Sequence, residues 1–173
     1  MENLLTTPTS QLILAERKAQ IAKWAVPRPG KQHLEPTDWL LILNEEMGEL
    51  AKAMWEKKNI DHMIEEAVQV AAVAVQIAEW VSERVGWENS SEEVLLKSVE
   101  FKKPFTNWPA RRLYVKMISE VGSLAFHIDH NHHQFLSRWS EIIRILINNG
   151  YLLINELSAL KVDGYERLDA SAE

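Results

Sequence analysis

No cysteine occurs among the 173 residues, which excludes disulfides, iron–sulfur clusters and thiol catalysis. That absence leaves the redox compartment open. Glycine and proline are scarce, at six each, and long stretches run without either. Long helices joined by few turns are therefore expected, and an all-β sandwich is excluded. Positive charge is also in deficit. With a formal net charge of -6 and a pI near 5.6, the chain is not built to spread over DNA or RNA, which leaves room only for a local basic patch. No apolar run approaches the roughly 18 residues of a membrane span. The opening MENLLTTPTSQLILAERK lacks the basic region and apolar core of a secretion leader. The expectation is a cytoplasmic protein with neither a membrane nor a nucleic-acid polymer as partner. What the chain does have is 46% hydrophobic residues in 19.9 kDa, enough for one substantial core.

Periodicity places the helices. Thr9 or Ser10 is expected to cap a first helix running to about Trp24, where Pro27, Pro29 and Gly30 stop it. Thr37 or Asp38 caps a second, ending near Lys57, in which Leu40, Leu43, Met47, Leu50, Ala51 and Met54 follow the i, i+3, i+4, i+7 rule. Asn59 opens a third, whose apolar stripe is rich in alanine and permits close helix contact, with Gly86 as its stop. Ser90 or Ser91 caps a short helix to about Glu100. Pro109 stands in the first turn of a long helix ending near Asp129, and a last one spans about Gln134 to Leu160.

The chain also repeats itself. LNEEMGELAKAM (43–54) lies over MISEVGSLAFHI (117–128) at an offset of 74 residues, matching Glu46 with Glu120, Gly48 with Gly122, Leu50 with Leu124 and Ala51 with Ala125. IEEAVQVAAVAVQI (64–77) lies over WSEIIRILINNGYL (139–152) at an offset of 75, pairing Glu66 with Glu141. Any two amphipathic helices share the 3.6-residue period, but the common Glu-x-Gly spacing favours duplication. The fold class this implies is all-α: a four-helix bundle from a tandem duplicated helix pair, with short flanking helices. Residues 1–163 would form one domain, with a first repeat at 10–86, a degenerate second at 90–160, and a flexible tail at 164–173.

Chemistry concentrates in Glu45-Glu46-Met47-Gly48-Glu49 on the second helix and Glu65-Glu66-Ala67-Val68-Gln69 on the third. Glu46 sits about 80° and Glu49 about 140° from the centre of their apolar stripe, and Glu66 and Gln69 hold the same angles on the next helix. Both pairs border the seam between the helices. Oxygen ligands so arranged suit a hard cation such as Mg²⁺ or Mn²⁺. A solvated acidic face is the competing reading. Against it, Glu45 and Glu49 are like charges at i,i+4 with only Lys52 near enough on that helix to offset them. A di-iron carboxylate bundle needs Glu-x-x-His pairs, and the chain has none in these helices.

These residues resemble the MazG-like, all-α nucleoside triphosphate pyrophosphohydrolase superfamily, which includes the dimeric dUTPases and the dCTP pyrophosphatases. The signature E-E-x-x-E, a spacer, then E-x-x-D is matched in pattern by residues 36–80, and 109–160 read as a decayed second copy. The resemblance implies Mg²⁺ (or Mn²⁺) as cofactor and a nucleoside triphosphate as substrate. Water would attack the α-phosphate and release a nucleoside monophosphate and pyrophosphate. It implies catalytic roles for Glu45, Glu46 and Glu49, with Glu46, Glu49 and Glu66 as metal ligands, and it likens Lys57 to a lysine that often follows the first motif helix. Gln69 stands where the family has its last Asp. It can still offer a neutral carbonyl oxygen to the metal, with one negative charge fewer. Ser123 and Arg144 hold the corresponding ligand positions in the second copy, so that copy cannot hold a metal in the same way. At most one active site per chain, in a monomer or homodimer, is expected. The alternative is a catalytically weakened bundle that binds nucleotides or a protein partner.

Other candidates have plainer readings beside the functional one. Lys97, Lys102, Lys103, Arg111 and Arg112 could neutralise phosphates or be solvated linker charges. Arg144 could offer a guanidinium to a phosphate or make an interhelix salt bridge. Trp24 and Trp39 lie where the family places residues that contact the base, although aromatic residues at helical spacing usually fill the core. His127, His130, His132 and His133 crowd one turn, as a transition-metal site or as histidines favoured by a helix C-terminus.

Overall fold

The computed structural model describes residues 4–23, 34–56, 59–84, 89–100, 108–130 and 136–162, and among these there is no strand. A 3₁₀ turn, Leu4–Thr6, leads into six helices: α1 (Pro8–Lys23), α2 (Pro36–Trp55), α3 (Ile60–Arg84), α4 (Ser91–Glu100), α5 (Ala110–Asp129) and α6 (Leu136–Val162). Expected features at Pro27, Pro29, Gly30, Gly86, Gln134 and the 164–173 tail lie outside the described residues.

The helix starts that depart from expectation are the three that contain a proline. Thr9 and Ser10 are buried inside α1, and the Thr7 hydroxyl accepts from the Ser10 N–H at 3.3 Å, so Thr7 caps the helix with Pro8 in its first turn. Likewise α2 begins at Pro36 with Glu35 as N-cap, where Asp38 Oδ2 accepts from the Glu35 N–H at 2.9 Å. Pro109 is itself the N-cap of α5 rather than its first residue. A proline lacks the N–H that a helix start leaves unpaired, so Pro8 and Pro36 take the first position and move the cap one residue back. Asn59 and Ser90 perform as expected: Asn59 Oδ1 accepts from Asp61 N–H at 2.7 Å, and Ser90 and Glu93 satisfy each other's backbone N–H.

Four helices close a ring in which α2 packs on α3, α3 on α6, α6 on α5 and α5 back on α2. This is the order that a duplicated helix pair generates, with α5 in the place of α2 and α6 in that of α3. The outer helices follow suit, α1 lying on α3 and α4 reaching α6 and α3. A single hydrophobic core joins residues of all six, so the two halves do not build separate cores. α3 and α6 approach closely, for a Cβ on Gly150 would come within 3.1 Å of the Ala71 Cβ. The alanine-rich stripe of α3 is what lets these helices meet. Because α3 is covered by α1, α2 and α6, its residues 66–68 and 70–81 are all buried. Glu66 consequently sits deeper than a border position would place it.

Candidate metal centre

The short connection after α2 returns the chain so that α3 runs back along it. Glu46 and Glu49, one turn apart on α2, then face Glu66 on α3. One carboxylate oxygen from each of the three lies within 4.8 Å of the others. Among the described residues, this is the one group of three acidic or imidazole side chains close enough to share a cation. Burial is graded across it, with Glu66 buried, Glu46 half-buried and Glu49 exposed.

Glu46 carries the electrostatic conflict. Its Oε2 is closed to solvent and has no hydrogen-bond partner. Burial first, then the charges of Glu49, Glu66, Glu45 and Glu16, push its carboxyl from the ordinary 4.5 to about 7. Gln69 donates an amide N–H to Glu66 Oε2 at 3.4 Å, and His62 Nδ1 lies 3.5 Å from both Glu65 Oε2 and Glu66 Oε1. Glu45 is exposed and outside the group of three. Beside Gln69, a groove of about 550 Å³ opens between α1 and α3, with Leu12, Ile64 and Val68 on its walls and Glu16 and Glu65 at its edges.

The second half shows what the first lacks. Glu120, the counterpart of Glu46, is more deeply buried and is salt-bridged to Lys116 one turn earlier. Glu141, the counterpart of Glu66, pairs with Arg138. Ile42 stands where the repeat would put Lys116, so Glu46 has no such ammonium on its own helix. One half carries covalently attached cations, and the other presents converging carboxylates.

Compared with known protein families, curated proteins and solved structures, the chain matches none. Whatever is said of its chemistry rests on the geometry above.

The structure gathers some expected site residues and disperses others. Glu46, Glu49 and Glu66 come together, with Glu45 and Gln69 adjacent. Trp39 is 2% exposed in the core of α2, so its ring is not offered to a base, and stacking there is corrected to packing. Lys97 lies on α4, donating to Asn89 Oδ1 at 2.7 Å. The first turn of α4 adjoins Glu79, thirteen residues and roughly 20 Å along α3 from Glu66. Lys97 is therefore not placed with the carboxylates. Arg144 is half-buried on α6, in the second half's equivalent of the Gln69 position. Arg112 stacks on Trp108 at 4.1 Å. Trp24, Lys57, Lys102, Lys103, His132 and His133 lie outside the described residues. His130 Nδ1 lies 2.9 Å from the Phe126 carbonyl, an ordinary helix-end contact.

Two features went unread in the sequence. His62, one turn before Glu66, was signalled only by its i,i+4 spacing. Arg17 and Glu79 form a buried ion pair, with Nε at 3.1 Å and Nη2 at 2.8 Å from one carboxylate oxygen, while the Ser91 hydroxyl donates to the other. Its only sequence signal is a glutamate within the otherwise apolar middle of α3.

Proposed function

We propose that the chain is a Mg²⁺-dependent nucleoside triphosphate pyrophosphohydrolase of the MazG-like kind, located in the cytoplasm and using one site in its first half. The observation that carries this reading is the convergence of Glu46, Glu49 and Glu66 on a half-buried Glu46 whose Oε2 has no partner. A solvated acidic face would leave its carboxylates apart and hydrated; this one holds them within 4.8 Å at a cost to the native state. An all-carboxylate set is the donor chemistry of a hard cation, so the residues fit Mg²⁺ or Mn²⁺. Glu46, Glu49 and Glu66 would hold it, with Gln69 orienting Glu66 through its N–H.

A bound cation supplies charge neutralisation for a triphosphate and a more acidic water. The protein's own groups do the rest. Glu45 stays outside the ligand set and exposed, free to accept a proton from water attacking the α-phosphorus. The bond from that phosphorus to the bridging oxygen breaks, and pyrophosphate leaves. The groove between α1 and α3 offers apolar walls beside the cluster for a nucleoside. Positioning and electrostatics make up most of such catalysis.

Pyrophosphate release from a panel of ribo- and deoxynucleoside triphosphates, with Mg²⁺ or Mn²⁺, tests the reading. At least one substrate should be turned over, and Glu49→Ala should abolish turnover with helicity intact. No release from any substrate, or equal release by the variant, overturns it. Gln69 favours a second reading, a bundle that binds nucleotides without cleaving them, because its amide donates to Glu66 where the family has a carboxylate. Cation-dependent nucleotide binding without pyrophosphate release would select that reading.

A further inference from the structure

A second cavity, of about 690 Å³, opens between the 3₁₀ turn, α1, α3 and the start of α4. Among the described residues it shares only Ala15 with the groove beside Gln69, and it takes in none of the converging carboxylates. Its floor is a network of buried charge. Glu79, 5% exposed, lines it from α3, with the Arg17 guanidinium of α1 on one carboxylate oxygen and the Ser91 hydroxyl of α4 on the other. Three helices are joined there by groups that apolar side chains of the same size could replace at little or no loss of stability. The network is also not complete within the chain. Arg17 is 1% exposed, and its Nη1 is closed to solvent with no hydrogen-bond partner. Buried polar groups are nearly always satisfied, so this leftover donor, beside a carboxylate that lines a cavity, is the mark of a network built for an occupant.

The rest of the lining narrows what that occupant is. Leu5, Leu14 and Ile21 form an apolar wall along the 3₁₀ turn and α1. Two charges remain, one of each sign and on different helices: Lys18 on α1 and Glu92 on α4. Both are exposed, and neither has an ion-pair partner among the described residues. A polyphosphate does not suit this lining, because Arg17 is committed to Glu79 and Lys18 is balanced by Glu92. A divalent cation does not suit it either, because both Glu79 oxygens already accept hydrogen bonds. The N-terminus of α4 is no anion site of its own, since Glu92 and Glu93 stand in its first turn and offset the helix dipole.

We propose that this cavity binds a zwitterion with an apolar body: a free α-amino acid with a large apolar side chain, or a dipeptide of such residues. The ligand's carboxylate pairs with Lys18 and its ammonium with Glu92, where Asn89 and Ser90 add neutral polar groups. Its side chain leaves water against Leu5, Leu14 and Ile21. The two charges fix its orientation and the wall adds affinity, the usual division of labour in a small-molecule site. The proposal does not depend on the catalytic reading.

Calorimetric titration of the full chain in EDTA with leucine, phenylalanine and leucyl-leucine tests it, beside N-acetyl-leucine, which lacks the cation, and leucinamide, which lacks the anion. At least one zwitterion should bind one-to-one at millimolar concentration or below, and more tightly than either blocked derivative. Whether the amino acid or the dipeptide binds more tightly tells the two sources apart. Lys18→Gln and Glu92→Gln alter exposed positions, so helicity should persist while each weakens binding by about three- to tenfold. Lys18→Gln should also lose the preference for leucine over leucinamide, and Glu92→Gln the preference for leucine over N-acetyl-leucine, a selective loss that general loosening of the fold would not produce. Amide shifts in NMR should centre on Lys18, Glu79 and Ser91. No binding by any of the three zwitterions, equal binding by a blocked derivative, or charge variants that bind as the parent does overturns the proposal. So do shifts confined to the residues around Glu46 and Glu66.

Discussion

Glu46 makes the native state lose stability as pH rises, and the loss can be followed without substrate or cation. Its carboxyl titrates near 4.5 in the unfolded chain and at about 7 in the folded one. Across that window the native state holds a proton that the unfolded state has released, so raising the pH from about 5 to 8 favours unfolding. At full strength, a displacement of that size amounts to about 3 kcal/mol. Glu46 is only half-buried, and solvent screening reduces the effect to about 1–2 kcal/mol. For a chain of this length, that is roughly 3–6 °C in Tm. Glu46→Gln keeps the shape and removes the titration. In EDTA, scanning calorimetry should show parent and variant alike near pH 5, with the variant more stable near pH 8. Millimolar Mg²⁺ should reverse the order, because a ligand bound only by the native parent stabilises the parent alone. Taking the difference between the two proteins cancels contributions from other groups. If the Tm difference is the same at both pH values in EDTA, the electrostatic account of Glu46 is refuted. If Mg²⁺ moves neither protein, the carboxylates are not a cation site.

Gln69→Asp should tighten Mg²⁺ binding in a calorimetric titration while lowering the Tm of the cation-free protein, since the added charge repels its neighbours until a cation arrives. Unchanged affinity would remove Gln69 from the site. Arg17→Met leaves the Glu79 charge buried without its guanidinium and should cost about 3–5 kcal/mol in urea unfolding, most of it recovered by adding Glu79→Leu. An additive double-mutant cycle would show that the two residues are not coupled. Lys116→Met, which strips the ammonium from Glu120, should destabilise by about 1–3 kcal/mol, whereas Ile42→Met at the equivalent place in the first half should be nearly neutral by the same denaturation measurement.

The helical class was legible because few glycines or prolines interrupt the 3.6-residue pattern, and the carboxylate cluster because its spacing depends on two helices and one short turn. Features that depend on how helices cross were not legible. Arg17 meets Glu79 only because α1 lies across α3, and neither residue's local pattern announces the other. The depth of Glu66 follows from α3 being covered by three helices at once, which a wheel drawn for a single helix cannot register. Trp39 had a base-stacking reading from the family resemblance and a core reading from helical spacing, and burial decided for the core. The caps at Thr7 and Glu35 lie two or three residues before the expected ones, because a following proline outweighed the polar residues after it.

The contrast between Glu46 and Glu120 bears on how the bundle comes apart. Where Lys116 balances Glu120, the seam between α5 and α6 has no reason to open before the rest of the core. At the matching seam between α2 and α3, unbalanced negative charge works against closure at every pH at which Glu46 is ionised. Two halves similar in pattern and packing should therefore differ in local opening free energy, the α2/α3 seam of the cation-free chain opening more readily than the α5/α6 seam. A bundle with balanced charge in one half and repulsion in the other is lopsided in its fluctuations, with one half as a firm frame and the other as the part free to respond.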